Sequence, residues 1–124
     1  MQEHIQNELA SFIANCDWEK IAPHFKEDAA YRVLDWIGCA VAGEHYPQVE
    51  IAQKYFIENG DQGNSTVIGH QTKCSPRTAA FLNGIAGHVC ELDDGHRTAI
   101  GHPGSIAVPT ALALGEHLNA SGAD

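Results

Sequence analysis

A chain of 124 residues has the size of one small domain, and its 44% hydrophobic content is ordinary for a globular protein with a modest core. The formal charge of -9 excludes nucleic acid and anionic membrane as partners, because phosphate-rich surfaces recruit clusters of Lys and Arg, and none is present. No run approaches the roughly 20 apolar residues that cross a bilayer, and Met1-Gln2-Glu3-His4 lacks the basic start and apolar centre of a signal peptide, so a cytoplasmic location is expected.

In chain order, Ile5, Leu9, Phe12 and Ile13 fall on one helical face and predict a packing helix. A second helix is predicted from Phe25 to Ala42 on the stripe Ala29, Ala30, Val33, Leu34, Ile37, Val41, with Gly43 as its stop. Its small residues Gly38, Cys39, Ala40 and Ala42 invite close approach of another helix. A third helix starts after Pro47 and runs through Ile51, Tyr55 and Phe56 to an Asn59-Gly60 cap. Residues 63–72 read as loop, with one short strand at Thr66-Val67-Ile68. Ser75-Pro76 is a good helix start, since Ser caps a free N–H and proline in the first turn forfeits no paired donor. That helix carries Ala79, Ala80, Leu82, Ile85, Ala86 and Val89. A last helix follows Pro103-Gly104-Ser105, and the closing Ser121-Gly122-Ala123-Asp124 matches the start of a capping box. The pattern predicts an all-α fold.

The four cysteines, Cys16, Cys39, Cys74 and Cys90, form no C-x-x-C pair and read as reduced thiols, with Cys39 and Cys90 as small core residues. His4, His24, His45, His70 and His117 are scattered, and solvated or locally bonded roles are expected for them.

Chemistry concentrates between the fourth and fifth helices, from His88 to Ser105, where three His, three carboxylates and one Arg sit among glycines that permit tight turns. A His oriented by carboxylates suits proton transfer at a carbon beside a carboxylate, and His102 and His96 are the candidates. Arg97 can pair a substrate carboxylate with its two-pronged guanidinium, and free N–H groups at the Ser105 helix start can hold another. Taken singly, Asp93 or Asp94 as a turn cap and Arg97 as a surface ion pair are the ordinary readings; clustering argues for function. His88, Cys90, Glu91, His96 and His102 are all potential ligands, yet their spacing fits no standard zinc pattern, and neither metal nor cofactor is expected.

Three segments resemble the MmgE/PrpD family. Leu34-Asp35-Trp36-Ile37-Gly38-Cys39-Ala40-Val41-Ala42-Gly43 is similar to its early L-D-x-(L/I)-G-C-x-x-A-G helix. Ala79-Ala80-Phe81-Leu82-Asn83-Gly84-Ile85-Ala86-Gly87-His88, followed by Leu92-Asp93-Asp94, resembles its A-A-x-x-N-G-x-x-x-H...D-D motif. His102-Pro103-Gly104 with Pro109-Thr110-Ala111-Leu112-Ala113-Leu114 resembles its H-P-(G/S)...P-A-A-L-A-L stretch. The resemblance implies that residues 1–124 are the amino-terminal part of a large helical-bundle domain. The lid domain and carboxyl-terminal helices would lie outside this chain.

It also implies cofactor-free proton abstraction next to a carboxylate in a homodimeric enzyme acting on small polycarboxylates. The expectation is a lyase of the 2-methylcitrate dehydratase type, with an iminodisuccinate epimerase-like isomerase or a decarboxylase as rivals. In that scheme His102, Asp93 and Asp94 are the catalytic set, and Glu91, His96, Arg97 and Ser105 contact substrate. Glu91 stands where many relatives have Asp, and Gly95 where they have Thr; both positions contact substrate in decarboxylase-like members. A reading from another class is a non-catalytic helical module that dimerises through its Ala/Gly-rich helices.

Overall fold

The structure, a computed structural model, describes residues 2–123. Five α-helices and one minimal hairpin follow in the order α1 (Gln2–Ala14), α2 (Pro23–Gly43), α3 (Pro47–Glu58), β1 (Ser65–Thr66), β2 (Lys73–Cys74), α4 (Pro76–His88) and α5 (Gly104–Leu118), so the domain is mainly helical. Between α1 and α2 lies a single 3-10 turn, Trp18–Lys20, whose start is capped by Asp17 accepting from the Glu19 amide. No helix among the described residues is long and apolar enough to cross a membrane.

Proline opens three of the helices, at Pro23, Pro47 and Pro76, where its fixed φ suits the first turn. Ser75 caps α4 by accepting from the Thr78 amide. Pro109 lies in the second turn of α5, deeper than a first-turn proline, and is buried. The end of α3 is turned by Gly60 at φ +78°, as the Asn59-Gly60 pair predicted.

Helix α4 is the centre of the fold, lying against α2 on one side and α5 on the other. On the α2 side, Trp36, Ala40, Val49 and Ala86 form one buried cluster; Gly43 lies against the Ala86 carbonyl and Gly87 against the Trp36 indole. The close approach expected of the small residues is made by Cys39, Ala40 and Gly43, whereas Gly38 and Ala42 face outward. A second cluster joins Val67, Cys74, Ala79, Leu82 and Ala113, tying the hairpin to α4 and α5. Cys74 is therefore a core thiol, and Cys90, expected there, is only half-buried.

The loop between α3 and α4 holds two strands rather than one. Ser65 pairs with Cys74 and Thr66 with Lys73, while Val67 and Ile68 turn inward. Side chains from the neighbouring helices replace a longer ladder. Buried Asn83 accepts from the Ile68 amide at 2.8 Å and donates to the Thr66 carbonyl at 2.9 Å. Glu116 of α5 accepts from the Thr66 amide, its hydroxyl and the Lys73 ammonium. These donors, Lys73 first, pull the Glu116 carboxyl down to about 2.

The packing role expected of the first helix is not realised. The stripe forms, but Ile5, Leu9, Phe12 and Ile13 are 58–69% exposed, because an amphipathic face is buried only where another apolar face meets it. Asp124, the last residue of the expected capping box, lies outside the described residues.

Candidate active site

The segment joining α4 to α5 is built by its backbone turns and by two neighbouring aspartates with separate tasks. After His88 the helix ends through Val89, and Glu91 takes a left-handed conformation at φ 50° with its amide donating to the His88 carbonyl. The chain then dips inward, so that Asp93 has a fully buried side chain. Residues 96–101 form a small excursion closed by the His96 amide donating to the Gly101 carbonyl at 2.8 Å, with Ile100 at φ 50° just before the closing residue.

Asp94 caps α5 from a distance. Pro103 precedes the helix and offers no side-chain cap, and Asp94 Oδ1 accepts from the Gly104 amide at 2.8 Å instead. A carboxylate there satisfies a first-turn donor and complements the positive end of the helix dipole. The approach is tight enough that any side chain at residue 104 would collide with that carboxylate. The amides of Ile106 and Ala107 turn back to the Pro103 carbonyl. Three donors that the sequence reading offered to a substrate carboxylate are thus occupied within the protein.

Asp93 gathers the side chains that matter for chemistry. His88 Nδ1 lies 3.1 Å from both of its oxygens, the Ser105 hydroxyl donates to Oδ2 at 2.5 Å, and His102 Nδ1 lies 3.3 Å from Oδ1. That last contact is within ion-pair distance but off the line of a hydrogen bond. The His88 and His102 rings are 4.6 Å apart between centroids and inclined at 60°. Burial pushes the Asp93 carboxyl up, but the hydrogen bonds from Ser105 and His88, with the His88 charge, outweigh it and hold the group below its ordinary value. It is an anion at neutral pH. An ionised carboxylate only accepts, so a neutral His88 hydrogen-bonded to it presents Nδ1–H and keeps the free lone pair on Nε2, whereas His102 turns the same nitrogen toward the carboxylate without a hydrogen bond.

Both rings and Ser105 border a groove of about 630 Å³ between α4 and α5. Its other walls include Gln48, Phe81, Ile85, Ile106 and Thr110, a mostly apolar lining with a few convergent polar groups, as small-molecule sites have. No Lys or Arg lines it. The potential ligand atoms of His88, Asp93 and His102 all lie within 4.8 Å of one another, so these three residues could hold a metal ion.

Of the site residues expected from sequence, the structure brings together His102, Asp93 and Ser105. Asp94 is adjacent, bound to the start of α5. Glu91, His96 and Arg97 are exposed and do not line the groove. His96 Nδ1 accepts from the Ala99 amide at 3.0 Å, which gives that ring a part in closing its own loop. The sequence offers His88 only as a potential ligand and gives it no catalytic role. Its signal was its place in the last turn of a helix, five residues before a buried Asp.

The sequence profile of the MmgE/PrpD N-terminal domain matches residues 7–124. The chain is 31% identical over 113 residues to the cis-aconitate decarboxylase-like protein oryM of Aspergillus oryzae, covering 91% of this chain and 23% of that protein. It is 33% identical over 87 residues to cis-aconitate decarboxylase of Homo sapiens, covering 69% of this chain and 18% of that one. The chain thus spans about a fifth to a quarter of the length of these curated relatives.

Proposed function

The chain belongs to the MmgE/PrpD family, and from that premise we propose that it supplies the histidine-bearing wall of a polycarboxylate lyase that moves a proton at a carbon beside a carboxylate. One observation carries the reading: the buried Asp93 carboxylate holds His102, His88 and Ser105 together at the edge of an open groove. The Asp93 anion, 3.3 Å from His102 Nδ1, favours a proton on that nitrogen by its charge and leaves Nε2 to act as the acid or base on the substrate.

A polycarboxylate also needs cationic partners, and the described groove has none beyond the imidazoles. The remaining cationic groups would come from the further length that the relatives possess. Two lyase reactions fit, with epimerisation as the isomerase rival. Decarboxylation of a cis-aconitate-like acid is favoured by the names of the relatives. Dehydration of a 2-methylcitrate-like acid is the reading drawn from the resemblance of the three sequence motifs.

The test is isothermal titration of this chain, and of the longest polypeptide its gene encodes, with cis-aconitate and 2-methylcitrate, followed by turnover assays. The longer protein is expected to bind and convert one acid, and His102→Ala to abolish conversion. If the longer protein neither binds nor converts either acid, the lyase reading is wrong.

A further inference from the structure

Two imidazoles border the groove, and the reading just given uses only one of them. We propose that His88 is a second proton carrier of the same site, its Nδ1–H held by Asp93 and its Nε2 presented to the substrate beside that of His102; the inference rests on the lyase reading.

Both rings turn Nδ1 toward the same buried carboxylate, His88 in hydrogen bonds and His102 at ion-pair distance only, and both line the groove, so the edge of each ring away from Asp93 carries Nε2. Of the two, His88 makes the better defined contact, bridging both oxygens of Asp93 at 3.1 Å. It is also the more firmly mounted. It closes α4, the best packed helix of the fold, directly after Gly87, which rests on the Trp36 indole. His102 lies on the loop before α5.

Two carriers match the proton accounting of either reaction. In dehydration one neutral Nε2 takes the proton from carbon, the freed electron pair forms the double bond, and the C–O bond breaks. The departing hydroxide takes a proton from Nε2–H of the other, protonated ring, so one water leaves, the first ring ends protonated and the second neutral, and proton exchange with solvent resets them. In decarboxylation the C–C bond breaks, carbon dioxide departs, and the pair left on carbon is protonated from an Nε2–H, which solvent then recharges. Dehydration needs an acid and a base at once; two inclined rings 4.6 Å apart supply them.

The experiment separates carrying a proton from holding Asp93. Asn at residue 88 keeps an N–H donor near the position of Nδ1 but has no Nε2, whereas Ala has neither. In the longest polypeptide the gene encodes, His88→Asn is expected to bind the acid within about threefold of the parent while kcat falls about 100-fold or more, the range of a lost general acid or base. His88→Ala should in addition weaken binding. A His88→Asn variant with the parent's kcat and pH profile overturns the proposal. In 15N-histidine-labelled protein, long-range proton–nitrogen spectra should show His88 in the Nδ1–H tautomer when neutral, and Asp93→Asn should disturb it; an Nε2–H tautomer in the parent overturns the proposal whatever the reaction is. If the parent converts no polycarboxylate, the lyase reading fails on that result, and the spectrum separately decides where the His88 proton sits.

Discussion

Replacing Asp93 by Asn tests the centre of the site without changing its shape. The side chain is fully buried and accepts from His88 and Ser105, with His102 at ion-pair distance. The amide keeps one acceptor oxygen and turns the other into a donor. Hydrogen bonds to a charged acceptor exceed neutral ones by about 1 kcal/mol each, and a buried donor left facing another donor costs about 1–3 kcal/mol. An imidazole that changes tautomer to accept from the new amide recovers part of this, so the expected loss at pH 7 is about 2–4 kcal/mol.

The pH dependence carries the sign. Asp93 is held below its ordinary value in the folded protein, so its stabilisation is present above the unfolded value near pH ~3.9 and is lost as pH falls through the lower folded one. The gap between parent and Asp93→Asn should therefore narrow below about pH 4. Urea unfolding followed by tryptophan fluorescence at pH 7 and at acid pH measures both. A variant within about 0.5 kcal/mol of the parent at pH 7, or a gap that widens in acid, would refute the geometry assigned to Asp93.

Two glycine substitutions should move stability in opposite directions, which differential scanning calorimetry can show. Gly38→Ala lies on an exposed turn of α2 with open space around it and should gain up to about 1 kcal/mol from helix propensity. Gly87→Ala meets the same propensity gain, but its new methyl runs into the buried Trp36 indole, a rigid neighbour, and overpacking costing about 1–3 kcal/mol should leave a net loss. For Glu116→Gln the expected loss is under about 1 kcal/mol, since Lys73 and Glu116 are both partly exposed and solvent screens the pair. That loss should be greatest above about pH 4.5, fade as pH falls toward the folded value of about 2, and shrink in high salt; salt titration of thermal unfolding checks it.

The helices were legible because their signals are local: Pro at the first turn, Ser75 as a cap, and Gly60 as a stop each act within a few residues. The hairpin was only half legible. Its second strand, Lys73–Cys74, carries no alternating pattern and exists because Asn83 and Glu116, distant in sequence, hold its partner in place. The burial of the first helix was misjudged because periodicity gives a face but not what meets it. At the site, the clustering of His88 to Ser105 pointed to the right segment, and the three-dimensional path decided the roles. Adjacent Asp93 and Asp94 diverge into an imidazole holder and a helix cap. Arg97 and His96 share the segment but sit on the outward excursion, and His88 enters the group because the chain folds back after Glu91.

The convergence of His88, His102 and Ser105 on one carboxylate has a consequence for how the sequence can vary. Each of the three feels the charge and position of Asp93, and each helps set them, so a change at one alters what the others contribute. Substitutions there should show strong epistasis: pairs should cost less than the sum of their single effects, because the first already spoils what the second would remove. Glu91, Arg97 and His96, facing outward nearby, should exchange one at a time, whereas Asp93 and the three residues around its carboxylate should tolerate replacement only as a block.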